Sequence, residues 1–144
     1  MPPNKIDFAS DIRAIATRLV RNLRQQHSDS GYSHVDLLTM SLIHEHGGLL
    51  PSELAQLERV SAQAISQVVQ KLYDGGCIKK TADKNDKRKT TLSLTAKGNQ
   101  ILAKVWEEKN EWLIDTIDAL FSEAEIETIE KALPLLKRLS EHAK

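Results

Sequence analysis

Apolar residues return along this chain at steps of three and four for most of its length, with one interruption where they alternate. Phe8, Ile12, Ile15, Leu19 and Leu23 form the first run, and Ile6, Ala16 and Val20 widen its stripe. That spacing predicts an amphipathic helix from about Asp7 to Gln26. His27 to Gly31 is polar and reads as a loop. Val35, Leu38, Leu42 and Ile43 mark the expected buried side of a second helix. Ser33 is its N-cap, Asp36 sits in the favourable first turn, and Gly47-Gly48 ends it. Pro51 suits a first helical position, so a short helix follows over Ser52 to Glu58. Ser61 caps the next one, Ala62 to about Asp74, and Gly75-Gly76 stops it. Leu54, Ala55, Val60, Ile65 and Val68 are the positions expected to form the core shared by these two crossing helices.

Beyond the glycines the period changes to two. Ile78 to Ala82 and Thr90 to Leu94 are β-prone and flank a polar loop, Asp83 to Lys89, which makes a hairpin with Leu92 and Leu94 inward. Thr95 caps a long helix to roughly Ala119, with Ile101, Leu102, Val105, Trp106, Leu113, Ile117 and Leu120 on its apolar side. Ser122 and Glu125 fit the capping box of a last helix, striped by Ile126, Ile129, Leu133, Leu136 and Leu139. Pro134 inside it removes a backbone donor and predicts a kink. The fold class is therefore mostly α with a small β-hairpin wing. A winged helix-turn-helix core occupies about residues 33–98. Helices over about 6–26 and 96–143 carry more apolar stripe than one small domain needs, so they are expected to pair with a second copy.

Length changes this picture little: 144 residues suit a single domain with a real core. No apolar run is long enough to span a membrane, and the N-terminus lacks a signal-peptide pattern. One cysteine gives no disulfide framework, so the cytoplasm is the expected compartment. Net charge is zero, which by itself argues against a nucleic-acid partner; its distribution argues for one. Residues 1–50 are neutral, 51–98 carry +4 and 99–144 carry −4. The basic excess gathers in the hairpin loop, where Lys84, Lys87, Arg88 and Lys89 stand against Asp83 and Asp86.

A helix for a groove and a basic loop for the flanking backbone point to double-stranded DNA. On the fourth helix, Ile65, Val69 and Leu72 belong to the core and leave Gln63, Ser66, Gln67, Gln70 and Lys71 on the other side. Glutamine pairs with adenine in the major groove, and this face carries three glutamines and no arginine, which favours A·T-leaning half-sites. The same glutamines, Gln70 above all, also serve as neutral helix formers on a wet face. Ser61 and Ala64 lie at the helix N-terminus, within reach of a phosphate, although Ser61 also caps. Arg88 at the hairpin tip suits a narrow minor groove, and Lys84, Lys87 and Lys89 suit phosphates. The four arginines of the first helix read as a solvated face.

Other chemistry is sparse. His44 and His46 are two apart and share no helix face; with His27, His34 and His142 they assemble no ligand set, so no metal and no cofactor are expected. No nucleophile–base set or phosphate loop stands at a motif's spacing, which excludes an obvious enzyme. Cys77 reads as a buried structural thiol. The competing reading is a dimeric winged-helix module for a protein partner, with weak DNA affinity.

Gly76-Cys77-Ile78-Lys79-Lys80, Asp86-Lys87-Arg88 and Leu92-Ser93-Leu94-Thr95-Ala96-Lys97-Gly98 resemble the wing signature of the MarR family of bacterial transcription regulators, D-x-R followed by L-x-L-T-x-x-G. Gly47-Gly48-Leu49, Ser52-Glu53-Leu54-Ala55 and Leu120-Phe121-Ser122-Glu123 extend the likeness. The resemblance implies a homodimer joined by its terminal helices, reading a palindromic operator and usually repressing. It implies that Asp86 braces Arg88 in the minor groove. Many such proteins release DNA on binding a small aromatic acid or on oxidation. An effector pocket would lie where the dimer helices meet the winged domain, near Arg18, Tyr32, His34, Trp106 and Trp112. Three departures stand out: Lys80 replaces the usual arginine, Leu50 replaces the usual Ser or Thr cap and leaves Pro51 to start its helix unaided, and the first helices hold no cysteine.

Overall fold

The computed structural model describes residues 2–26 and 30–142. Six helices and one hairpin follow in the order α1 (Lys5–Arg24), α2 (His34–His46), α3 (Pro51–Glu58), α4 (Ala62–Asp74), β1 (Ile78–Ala82), β2 (Thr90–Leu94), α5 (Ala96–Leu120) and α6 (Glu123–Glu141). Two compact units divide the chain, one ending at Glu108 and one starting at Lys109.

Local capping chemistry sets most boundaries. Asn4 Oδ1 accepts the N–H groups of Ile6 and Asp7, so α1 begins at Lys5, ahead of its first strong apolar position. Ser33 and Asp36 form a reciprocal capping box on α2, and Gly47 ends that helix in the left-handed region at φ 72°. Leu50 offers no side-chain cap, yet α3 does not start unaided: Glu53 Oε1 accepts the Leu50 N–H at 3.0 Å. Ser61 accepts the Ala64 N–H at 3.1 Å and opens α4. Ser122 and Glu125 form the expected box on α6, which continues as one helix through Pro134.

The core of the first unit gathers Leu37, Met40 and Ile43 of α2, Leu54 of α3 and Ile65, Val69 and Leu72 of α4. Leu49, Cys77, Ile78, Leu92, Leu102 and Val105 complete it. Two expectations fail here. Val60 is exposed, because it follows Arg59, whose φ of 54° turns the chain outward between α3 and α4. Val35 and Leu38 are also exposed; the buried stripe of α2 includes the polar residues Asp36 and Thr39 instead. Both are satisfied, Asp36 by Lys71 and Thr39 by the Glu58 carboxylate, which accepts its hydroxyl at 2.9 Å. A reading that seeks only apolar positions passes over such a stripe.

The hairpin is antiparallel, with Ile78 opposite Leu94, Lys80 opposite Leu92 and Ala82 opposite Thr90. Leu49 adds a one-residue third strand: it exchanges both backbone hydrogen bonds with Leu92, at 3.0 and 2.8 Å. Leu92 is buried, and Leu94, Thr91 and Ser93 are all half-buried, so only part of the expected alternation is realised. Gly98 closes the fold. A Cβ built there would overlap the carbonyl oxygen of Cys77, so the first turn of α5 can approach the backbone just ahead of β1 only with glycine at that place.

Neither α1 nor α6 buries a single residue within this chain. Ile6, Ile15, Leu19 and Val20 on the former and Leu133, Leu135, Leu136 and Leu139 on the latter remain exposed.

Candidate nucleic-acid interface

Helices α3 and α4, joined by a turn over Arg59–Ser61, are the helix-turn-helix, and the hairpin is its wing. Burying Ile65, Val69 and Leu72 fixes the rotation of α4 and leaves Gln63, Ser66, Gln67 and Gln70 exposed on the other side. Ala64 is half-buried beneath them. Two members of the predicted set have partners within the chain. Gln70 Nε2 donates to Asp74 Oδ1 at 2.7 Å, one turn on. Lys71 Nζ is paired with Asp36 Oδ2. Gln63, Ser66 and Gln67 remain as the open polar face, and Ser61 is committed to its cap.

The wing loop is built from its own acidic residues. Asp83 accepts the Asn85 N–H at 2.8 Å, and the Asp83 N–H in turn donates to the Lys89 carbonyl at 2.9 Å. Asp86 Oδ1 accepts twice from Arg88, from its backbone N–H at 3.1 Å and from Nε at 3.2 Å. The Arg88 side chain nevertheless stays 92 % exposed, so the carboxylate orients it without burying it. Lys84, Lys87 and Lys89 are exposed around it.

A second cation is held by a ring. Lys80 Nζ sits 4.2 Å from the centroid of the Tyr73 ring, across the Gly75–Gly76 turn. Nothing in the local sequence marks Tyr73; its partner arrives from the strand.

The candidate effector residues of the first unit make separate contacts. Tyr32 lies beside the Asp36–Lys71 pair: its hydroxyl is hydrogen-bonded to Cys77 Sγ at 3.1 Å, and Lys71 Nζ is 5.6 Å from its ring centroid. The bond to Cys77, then burial, then the charges of Cys77 and Asp36 push the Tyr32 pKa up to about 12. Cys77 is buried, as a structural thiol should be. Trp106 instead meets His44 edge-on, with centroids 5.2 Å apart, and His44 Nδ1 is 3.3 Å from Asn99 Oδ1. Arg18 is exposed on α1 and His34 half-buried at the start of α2, whereas Trp112 belongs to the second unit. His27 lies outside the described residues. Among the described residues no three His, Cys, Asp or Glu side chains gather around a point that could hold a metal ion, and no helix is long and apolar enough to cross a membrane.

Comparison with known proteins meets the same elements. A Mycobacterium leprae protein, named an uncharacterized HTH-type transcriptional regulator, is 27 % identical over 116 residues, covering 81 % of each chain. The solved structure of a Pseudomonas aeruginosa PA01 protein superposes with a TM-score of 0.84 at 28 % identity, over 99 % of this chain and 100 % of that one. A mutant MarR from E. coli, complexed with operator DNA, shares the fold at a TM-score of 0.63 and 20 % identity, over 91 % of this chain and 94 % of that one. Residues 33–90, from the cap of α2 to the first residue of β2, match the sequence model of the MarR family. Over this stretch the chain is similar to the MarR family.

Proposed function

We propose that this chain is a sequence-specific, DNA-binding transcription regulator and that it works as a homodimer on a palindromic operator. Helix α4 enters the major groove and the wing enters the adjacent minor groove. The observation that carries this reading is Arg88, whose Nε and backbone N–H both donate to Asp86, yet whose side chain is almost wholly exposed at the tip of a lysine-rich wing. An oriented, unburied guanidinium fits a narrow minor groove, where the potential is most negative. Lys84, Lys87 and Lys89 lie against phosphates. Gln63, Ser66 and Gln67 read base edges and favour A·T-rich half-sites. Ser61, Ala64, Gln70 and Lys71 line the edges of that contact; Lys71, half exposed, has N–H groups left for a phosphate beside its bond to Asp36.

Two copies are joined through the apolar faces of α1 and α6, which one copy leaves in water. The usual action is repression, relieved by a small aromatic effector held near Arg18, Tyr32, His34, Trp106 or Trp112. The protein acts by binding, not as an enzyme, and in the cytoplasm.

The test is fluorescence anisotropy with duplex DNA from upstream of the chain's own gene, at two salt concentrations, with a scrambled duplex as competitor. Wild type binds tightly, selectively and with steep salt dependence, and Arg88→Ala loses that selectivity. Binding indifferent to salt and to Arg88→Ala would favour a protein partner instead. Enrichment of G·C-rich half-sites from a random library would sink the A·T preference alone.

A further inference from the structure

The wing has two faces, and Lys80 lies on the unexpected one. Its register partner is the buried Leu92, so it shares a side with Ile78 and Leu92 and not with Lys79 and Thr81. Lys80 is itself exposed, and on this side its stem runs out toward α4. The ammonium emerges over the Tyr73 ring, at the end of α4. Lys80 also lines a cleft between α4 and the hairpin, floored by Val69 and Leu92 and walled by Ser66, Gln70 and Thr90. The other basic side chains of the wing are on its tip or outer face.

Groove geometry says what passes there. If α4 lies in a major groove and the wing in the neighbouring minor groove, one sugar–phosphate strand separates the two and must cross the mouth of this cleft. A cation fixed at that place meets the strand. The Tyr73 ring covers one side of the ammonium and leaves its remaining N–H groups to a phosphate oxygen. It also holds a side chain that would otherwise sample many rotamers, so less freedom is lost on binding.

We propose that Lys80 binds the backbone phosphate dividing the two grooves, and that Tyr73 is the positioning residue that holds Lys80 for it. This rests on the DNA-binding reading above.

The test uses a duplex enriched from a random library by the wild-type protein, beside its scrambled version, over a salt series. Lys80→Ala should lower the slope of log K against log salt by about 0.9, the value for one lost phosphate contact. It should weaken the enriched and scrambled duplexes by the same factor, because a phosphate carries no sequence. Lys80→Arg should keep the slope. Tyr73→Leu should weaken binding about threefold, Tyr73→Phe should match wild type, and Tyr73→Leu should add nothing once Lys80→Ala is present. Thermal unfolding of each variant identifies any that has lost its fold. An unchanged slope in Lys80→Ala, with wild type still binding, overturns this proposal alone. An effect of Tyr73→Leu that persists undiminished beside Lys80→Ala overturns the positioning role. If wild type enriches no duplex, the DNA-binding reading falls and this proposal with it.

Discussion

Lys71 and Asp36 meet across 35 positions of sequence, with Nζ 2.5 Å from Oδ2. The same carboxylate oxygen accepts the Ser33 N–H at 2.9 Å, so one atom closes both a helix cap and an ion pair. The contact ties the last turn of α4 to the first turn of α2. Asp36 is buried, whereas the Lys71 side chain is half exposed.

Burial pushes the Asp36 carboxyl toward its neutral form, but the Lys71 hydrogen bond and the Ser33 donors outweigh that and hold its pKa below the ordinary 3.8. A carboxyl whose pKa is lower folded than unfolded stabilises the fold above its unfolded value. It loses that contribution as pH falls through the folded one. Asp36→Ala should therefore cost about 2 kcal/mol at neutral pH, the scale of a hydrogen bond to a charged group. Urea unfolding at a series of pH values should show the gap from wild type closing below about pH 4.

Tyr32 has the opposite sign. Its pKa is raised from 10.0 to about 12, so its stabilising effect is complete below pH 10 and disappears as pH rises through 12. Wild type should lose stability over that interval more steeply than Tyr32→Phe, which has no proton to release. Parallel chemical unfolding of the two proteins checks it; identical slopes would remove the Cys77–Tyr32 bond from the account.

Gly98→Ala tests the close approach of α5 to β1. The added Cβ would meet backbone atoms of Cys77, and the Cys77 carbonyl is already held by the Thr95 N–H at 3.0 Å. Overpacking against a backbone that cannot retreat costs about 3 kcal/mol. The thermal midpoint should fall by roughly 10 °C in a scan against wild type.

Asp86→Ala separates orientation from charge. It adds a positive charge to the net balance of the wing, which favours any polyanion. It also removes the Nε bond that orients the Arg88 side chain and the backbone N–H bond that shapes its turn. If orientation matters, binding to the selected duplex weakens about fivefold while binding to a scrambled duplex holds or tightens. Thermal unfolding should be unchanged, since the loop is exposed.

The sequence was most informative where a single residue type closes a local backbone group. Ser33, Ser61 and Ser122 cap where expected, and Ile78–Ala82 and Thr90–Leu94 are strands over the expected residues. The arginine–aspartate contact of the wing was legible too, through the likeness of Asp86-Lys87-Arg88 to a known motif. Long-range contacts were not. Asp36 looked like a helix-start acid because Lys71, its second partner, is 35 residues away. Leu49 gave no strand signal, since a bridge of one residue has no period to read. Lys80 stood out in the sequence only as a replacement for an arginine; its pairing with Leu92 and its contact with Tyr73 needed the structure.

The seam where α5 begins has a mechanical consequence. Three successive carbonyls at the exit of α4 are taken by the cap and the first turn of α5: Gly75 by Lys97 Nζ at 2.6 Å, Gly76 by the Thr95 hydroxyl at 2.5 Å, and Cys77 by the Thr95 N–H at 3.0 Å. Gly98 presses on the Cys77 backbone just ahead of β1, which closes the joint further. The foot of α5, the base of the wing and the exit of α4 form one weld. Those contacts tie the foot of α5 to the base of the reading surface.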